Sequence, residues 1–140
     1  MSGATFIAAF IGCRSQHSNY PAMAKHIHTG KLGEQLAATW FTQLGYHILE
    51  QNWRHGRWEV DIIASKNNIL HFIEVKARRT KNYGLPEEQV NNKKIRNLIN
   101  AAEEYLYLHP EWKRIQFDIL AVTIVKDKKE EYLLIEDISL

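Results

Sequence analysis

The chain has 140 residues, enough for one domain with a substantial core and too few for two ordinary ones. Its 45% hydrophobic and 24% charged residues, with only three prolines, exclude a disordered or fibrous protein. A net charge of +2 proves no polyanionic partner, no apolar run reaches the ~18–20 residues that cross a bilayer, and a single cysteine, Cys13, excludes an intrachain disulfide. A reducing compartment, the cytoplasm, fits this best.

The first segment, Thr5 to Cys13, is a short apolar run, but no Lys or Arg precedes it as a secretory leader requires. A second methionine, Met23, opens the first patterned stretch, so residues 1–22 are expected to be a disordered or spurious extension and 23–140 the domain. From Thr29 the spacing of Leu32, Leu36, Ala37, Trp40, Phe41 and Leu44 predicts a helix, with Gly45 placed as its C-terminal cap and His26 and His28 in a loop before it. Strands are predicted over Tyr46–Trp53, Trp58–Ser65 and Ile69–Ala77. The polar run Arg54-His55-Gly56-Arg57 and the tight turn Lys66-Asn67-Asn68 join them.

A basic loop from Arg78 to Leu85 leads to Pro86, which suits the first position of a helical turn. Asn91 or Asn92 then caps a longer helix whose buried stripe is Ile95, Leu98, Ile99, Ala102 and Leu106, and which Pro110 stops. Strands over Arg114–Val125 and Tyr132–Ile138, separated by the charged turn Asp127 to Glu130, complete the chain. The class is therefore α/β, in the order α-β-β-β-α-β-β, with no internal repeat or low-complexity tract.

The chemistry lies in the second hairpin. With Asn67 and Asn68 as its two central residues, Lys66 faces Ile69, Ser65 faces Leu70, Ile63 faces Phe72 and Asp61 faces Glu74. Opposed residues share a face, so two carboxylates would stand ~5 Å apart and repel. Lys76 lies on the face of Glu74, ~7 Å along the strand, and Glu59 shares that face too. Such a pair offers the hard oxygen ligands that Mg²⁺ or Mn²⁺ takes, with coordination positions left for water and a phosphate oxygen. Lys76 beside it could orient the attacking water and stabilise charge on the phosphate, as a phosphodiesterase needs. A half-exposed ion-pair cluster, with Lys76 bridging Asp61 and Glu74, explains the same spacing equally well.

A longer string of motifs bears on that choice. Gly30-x-x-Gly33-Glu34-x-x-Ala37, Asn52-x-Arg54, Glu59-Val60-Asp61-Ile62-Ile63, Phe72-Ile73-Glu74-Val75-Lys76-x-Arg78, Gly84 and Phe117-Asp118 together resemble the YraN-like family of bacterial proteins. The resemblance covers nearly all of His28 to Asp118. It implies a restriction-endonuclease-like fold, a mixed central sheet flanked by helices, similar to Holliday-junction resolvases, in which the Asp and Glu-x-Lys set is a metal-dependent nuclease centre. On that resemblance Glu34 would complete the acidic cluster as a further metal or water ligand. Taken alone, Glu34 reads as a first-turn glutamate interacting with its helix dipole. Trp58, where the family commonly has Gly, and Gln116, where Arg often precedes Phe-Asp, depart from the pattern without removing a carboxylate.

Asp118, inside an apolar strand, should have a backbone amide or basic side chain as partner and serve structure. Lys93, Lys94 and Arg96 crowd a helix start, where cations oppose the dipole and so suggest an external anion, with a solvated helix face as the rival reading. Arg78, Arg79 and Lys81 follow the catalytic strand and could grip neighbouring phosphates, although a basic loop would look the same. No zinc spacing, phosphate loop, nucleophile elbow or dinucleotide fingerprint occurs. The expectation is a Mg²⁺- or Mn²⁺-dependent endonuclease acting on DNA, branched DNA included by analogy with resolvases. A homodimer would suit the cutting of two strands, although nothing in the sequence gives a dimer surface. The alternative is a nucleic-acid-binding module that keeps the nuclease fold without cleaving, and a remoter one is an interaction subunit whose acidic cluster is an ion-pair network.

Overall fold

The computed structural model describes residues 5–10, 22–79 and 91–138. Strand β1 (Thr5–Phe10) is followed by helix α1 (Ala22–Gln43), a meander of β2 (His47–His55), β3 (Trp58–Lys66) and β4 (Ile69–Arg78), helix α2 (Asn92–Leu108), and strands β5 (Ile115–Thr123) and β6 (Glu131–Glu136). The expected α-β-β-β-α-β-β order is present, preceded by one strand. Six residues of the stretch expected to lie outside the domain thus pair antiparallel with β6, as an apolar segment can when a sheet edge offers unpaired amides and carbonyls. The expected helical turn at Pro86, together with Lys81 and Gly84, lies outside the described residues.

The sheet order is β1-β6-β5-β4-β3-β2, and among the described residues β4 and β5 are its one parallel pair, joined by the α2 crossover. Asn67 and Asn68 both take positive φ, 52° and 62°, and this turn sets the predicted register of Lys66 opposite Ile69, Ser65 opposite Leu70 and Ile63 opposite Phe72. Helix α1 begins seven residues before the predicted start, so His26 and His28 belong to it and not to a loop. At its end Gly45 takes φ 87°, the left-handed conformation a C-terminal cap requires. Among the described residues no helix is long and apolar enough to cross a membrane.

Each helix covers one face of the sheet. Ala37, Trp40 and Phe41 of α1 pack on Ile62, Ala64, Ile73, Leu120 and Leu134, and Trp40 stacks on Tyr132 with ring centroids 5.3 Å apart. Leu98, Ala101, Ala102 and Tyr105 of α2 pack on Val60, Ile63, Leu70 and Phe72. Leu98 and Ala102 are buried as expected, but Ile95, Ile99 and Leu106 are only half-buried. The contact line runs through Ala101 and Tyr105 instead, at the i, i+3, i+4, i+7 spacing that puts two small alanines against the sheet.

Gly33 sets how closely α1 approaches β4. A Cβ at Gly33 would stand 2.4 Å from the Cβ of Ala77, with backbone behind it, so nothing flexible can give way. Gly33→Ala is expected to lower stability by about 1–3 kcal/mol through overpacking, although alanine favours the helix by ~1 kcal/mol. A thermal melt checks this, and an unchanged or raised midpoint would show that the approach is looser than described.

Candidate active site

Asp61 sits where the β3–β4 ladder ends. Pairing stops at Ile62 opposite Ile73, one pair short of the expected Asp61–Glu74 opposition. Asp61 Oδ2 instead accepts the Val75 N–H at 2.8 Å, so the carboxylate takes over the backbone pairing that the diverging strands give up. The alternation of faces also inverts here: Val60 and Ile63 both pack with α2, whereas Ile62 and Ala64 pack with α1. On β2, between the residues that pair with Ile62 and Val60, Asn52 takes φ 51°, a conformation asparagine adopts more readily than most residues.

Glu74, on β4, is buried, with 6% of its surface exposed. Its Oε1 receives two ammonium groups: Lys76 Nζ at 3.5 Å and Lys94 Nζ in direct contact. Lys94 comes from the first turn of α2, whose backbone is fixed by the Asn91 cap, with Asn91 Oδ1 accepting the Lys94 N–H at 2.9 Å. Glu74 Oε2 and Asp61 Oδ1 accept no hydrogen bond from any described residue.

The electrostatics follow from this crowding. Burial, then the Glu74 charge, and also that of Glu34, push the Asp61 carboxyl up to about 7, against the opposing pull of the Val75 N–H and Lys94. Burial and the neighbouring Lys94 lower the Lys76 ammonium below the ordinary lysine value. Burial works against the Lys94 charge as well, but the Glu74 carboxylate holds it and raises its pKa.

The expected constellation is therefore partly assembled. Asp61, Glu74 and Lys76 come together. Glu34, on α1 beside Gly33, is half-buried and acts on Asp61 through its charge. Glu59 is not part of the group; it is exposed and pairs with Arg54 at 3.2 Å. Among the described residues no three His, Cys, Asp or Glu side chains converge to hold a metal ion. A hard divalent cation does not need three, since Mg²⁺ commonly takes one or two carboxylates and completes its shell with water and phosphate oxygens. The two carboxylate oxygens without a described partner, on a pair in which burial and then the Glu74 charge raise the Asp61 pKa, are a donor set that fits such a cation.

The cations expected to grip nucleic acid divide. Lys93 and Arg96 are exposed on α2. Arg79 Nε and Nη2 donate to Thr29 Oγ1 at 3.0 and 2.7 Å, tying the end of β4 to α1, and Arg78 Nε donates to Thr123 Oγ1 at 3.3 Å. Sequence reasoning missed that Lys94 reaches Glu74; the available signal was a cation in a helix start that contains no acid.

Asp118 is wholly buried and fully engaged. His71 Nδ1 lies 2.7 Å from Oδ2, while Gln116 Nε2 and the Asp137 N–H each donate to Oδ1 at 2.9 Å. Gln116, the departure from the motif pattern, thus retains a donor toward the aspartate.

The profile described as Uncharacterised protein family UPF0102 matches residues 33–122. A UPF0102 protein of Cytophaga hutchinsonii is 46% identical over 99 residues, covering 71% of this chain and 88% of its own length. One from Flavobacterium psychrophilum is 43% identical over 108 residues, covering 77% and 89%. Another from Chloroherpeton thalassium is 36% identical over 111 residues, covering 79% and 86%.

Proposed function

Since this chain belongs to the UPF0102 family, the YraN-like group its motifs pointed to, and the matched stretch contains Glu34, Asp61, Glu74, Lys76 and Lys94, we propose that it is a Mg²⁺- or Mn²⁺-dependent endonuclease acting on DNA, branched DNA included. The observation that carries this reading is the pair Asp61 and Glu74, each with one oxygen held by the protein and the other without a described partner. Asp61 Oδ1 and Glu74 Oε2 would hold the cation, with Glu34 adding negative charge. A bound divalent cation lowers the pKa of water and polarises a phosphoryl oxygen.

The protein's own groups do the rest. The Val75 N–H fixes the Asp61 carboxylate in one orientation. Lys76 Nζ, beside Glu74 and lowered in pKa, releases a proton more readily than an ordinary lysine, and while charged it stabilises the phosphate as negative charge builds. Lys93 and Arg96 present charge to phosphates flanking the cleaved bond.

The test is cleavage of labelled four-way junctions and linear duplexes with Mg²⁺ or Mn²⁺. Lys76→Ala is expected to lose about 10²-fold or more in rate while keeping its DNA affinity. A wild type that binds DNA with a salt-dependent affinity but cuts none would favour the second reading, a non-catalytic binding module. The occupation of Glu74 Oε1 by two lysines favours that reading as well. A wild type without salt-dependent DNA binding would exclude both.

A further inference from the structure

Two ammonium groups on one carboxylate oxygen are more positive charge than Glu74 alone requires, and the two lysines are not equivalent. Lys76 stands on a strand with 23% of its side chain exposed, whereas Lys94 is 48% exposed at a helix start. The Asn91 cap fixes the Lys94 backbone and leaves its long side chain free to turn. A cation in the first turn of a helix works against the dipole, and α2 has no acid there, so nothing within the helix accounts for Lys94. Glu74, on the neighbouring strand, does.

We propose that Lys94 is the tethered counter-cation of the acidic pair: its ammonium occupies Glu74 until a divalent cation binds, and is then displaced outward beside Lys93 and Arg96. This rests on the reading of Asp61 and Glu74 as cation ligands. A divalent charge on the two carboxylates repels both lysines, and the one with solvent to move into leaves. Turned outward, Lys94 joins the exposed cations of α2, where its charge serves a phosphate. One side chain thus suppresses repulsion between the acids in the cation-free protein and becomes a phosphate contact in the loaded one.

The experiment is calorimetric titration of Mn²⁺ into the full chain as wild type, Lys94→Met, Lys94→Gln and Lys94→Arg, with melting curves on each. Two uncharged replacements guard against a folding defect in either. Lys94→Met and Lys94→Gln are expected to bind Mn²⁺ roughly tenfold or more tightly than wild type, the size of an ordinary coupling between sites, and Lys94→Arg to stay close to wild type. Unchanged or weaker binding in both uncharged variants overturns the inference, as does the absence of Mn²⁺ binding in all four proteins. Junction cleavage, measured separately, distinguishes the two failures. Tighter Mn²⁺ binding without cleavage by the wild type removes the nuclease reading and keeps the role of Lys94. Cleavage with unchanged affinities does the reverse.

Discussion

Asp61→Asn is expected to make the cation-free protein more stable at pH 8 while abolishing divalent-cation binding and reducing cleavage by more than about 10³-fold. The asparagine side chain can still accept the Val75 N–H, so the geometry at the end of the ladder survives. What disappears is a buried negative charge beside Glu74. In the folded protein the Asp61 carboxyl is pushed up to about 7 from an ordinary 3.8, so folding binds its proton more tightly than the unfolded chain does. Between those two values the folded state carries more protons, and stability falls as pH rises. Below about 4 the two states are equally protonated, and above about 7 the whole penalty is present.

A rise from 3.8 to about 7 sets an upper limit of ~4 kcal/mol on that penalty, which comes first from burial and then from repulsion by Glu74. Melting curves at pH 5, 6, 7 and 8 should show a wild type that loses stability against the variant as pH rises. Saturating Mn²⁺ should then reverse the order, since only the wild type gains by binding. A variant less stable than wild type at pH 8 without cation would show that the protein compensates the Asp61 charge, and would remove the main physical reason for placing a cation there. The expected trade of stability for a charged, functional pair is common at active sites.

How far the sequence reached this site depends on which forces act locally. The Asn67-Asn68 turn is a local device: two residues that tolerate positive φ set the register of the whole hairpin, so Ile63 opposite Phe72 could be counted out from it. That count assumed a regular ladder. It could not foresee that pairing ends at Ile62 and that Asp61 turns to the Val75 amide, at the point where Val60 and Ile62 pack against different helices. The contact of Lys94 with Glu74 is likewise hidden from the sequence. The lysine's charge is visible, but its partner lies on a strand twenty residues away, and only the α2 crossover brings the two together. Helix α2 was legible through its Asn91 cap, whereas its contact line shifted to Ala101 and Tyr105 because the closeness of packing, not hydrophobicity alone, chooses the face. Glu34 belonged to the group only by resemblance, and the structure gives it an electrostatic connection to Asp61.

Asp118→Ala should have the largest effect on folding. The substitution removes the acceptor of three donors at once: His71, itself 4% exposed, Gln116 and the Asp137 N–H. Each is left without that partner in or beside the core, and breaking a buried pair of this kind costs about 3–5 kcal/mol. That is a large part of the 5–15 kcal/mol typical of a whole domain. Damage should begin at the C-terminal end of β6, where the Asp137 N–H bonds Asp118 and the Ile138 N–H bonds the Phe117 carbonyl at 2.8 Å. Hydrogen exchange at Asp137 and Ile138 should therefore quicken more than at Ile63 or Phe72, which face α2. Asp118→Asn keeps an acceptor oxygen and should cost less. Because Asp118 touches none of the carboxylates proposed to hold the cation, any Asp118→Ala protein still folded at low temperature should bind Mn²⁺ with wild-type affinity. Urea unfolding beside a Mn²⁺ titration separates the two effects. A loss below about 1 kcal/mol would mean that water replaces the aspartate; weakened Mn²⁺ binding in folded protein would mean that β4 transmits the change from His71 to Glu74.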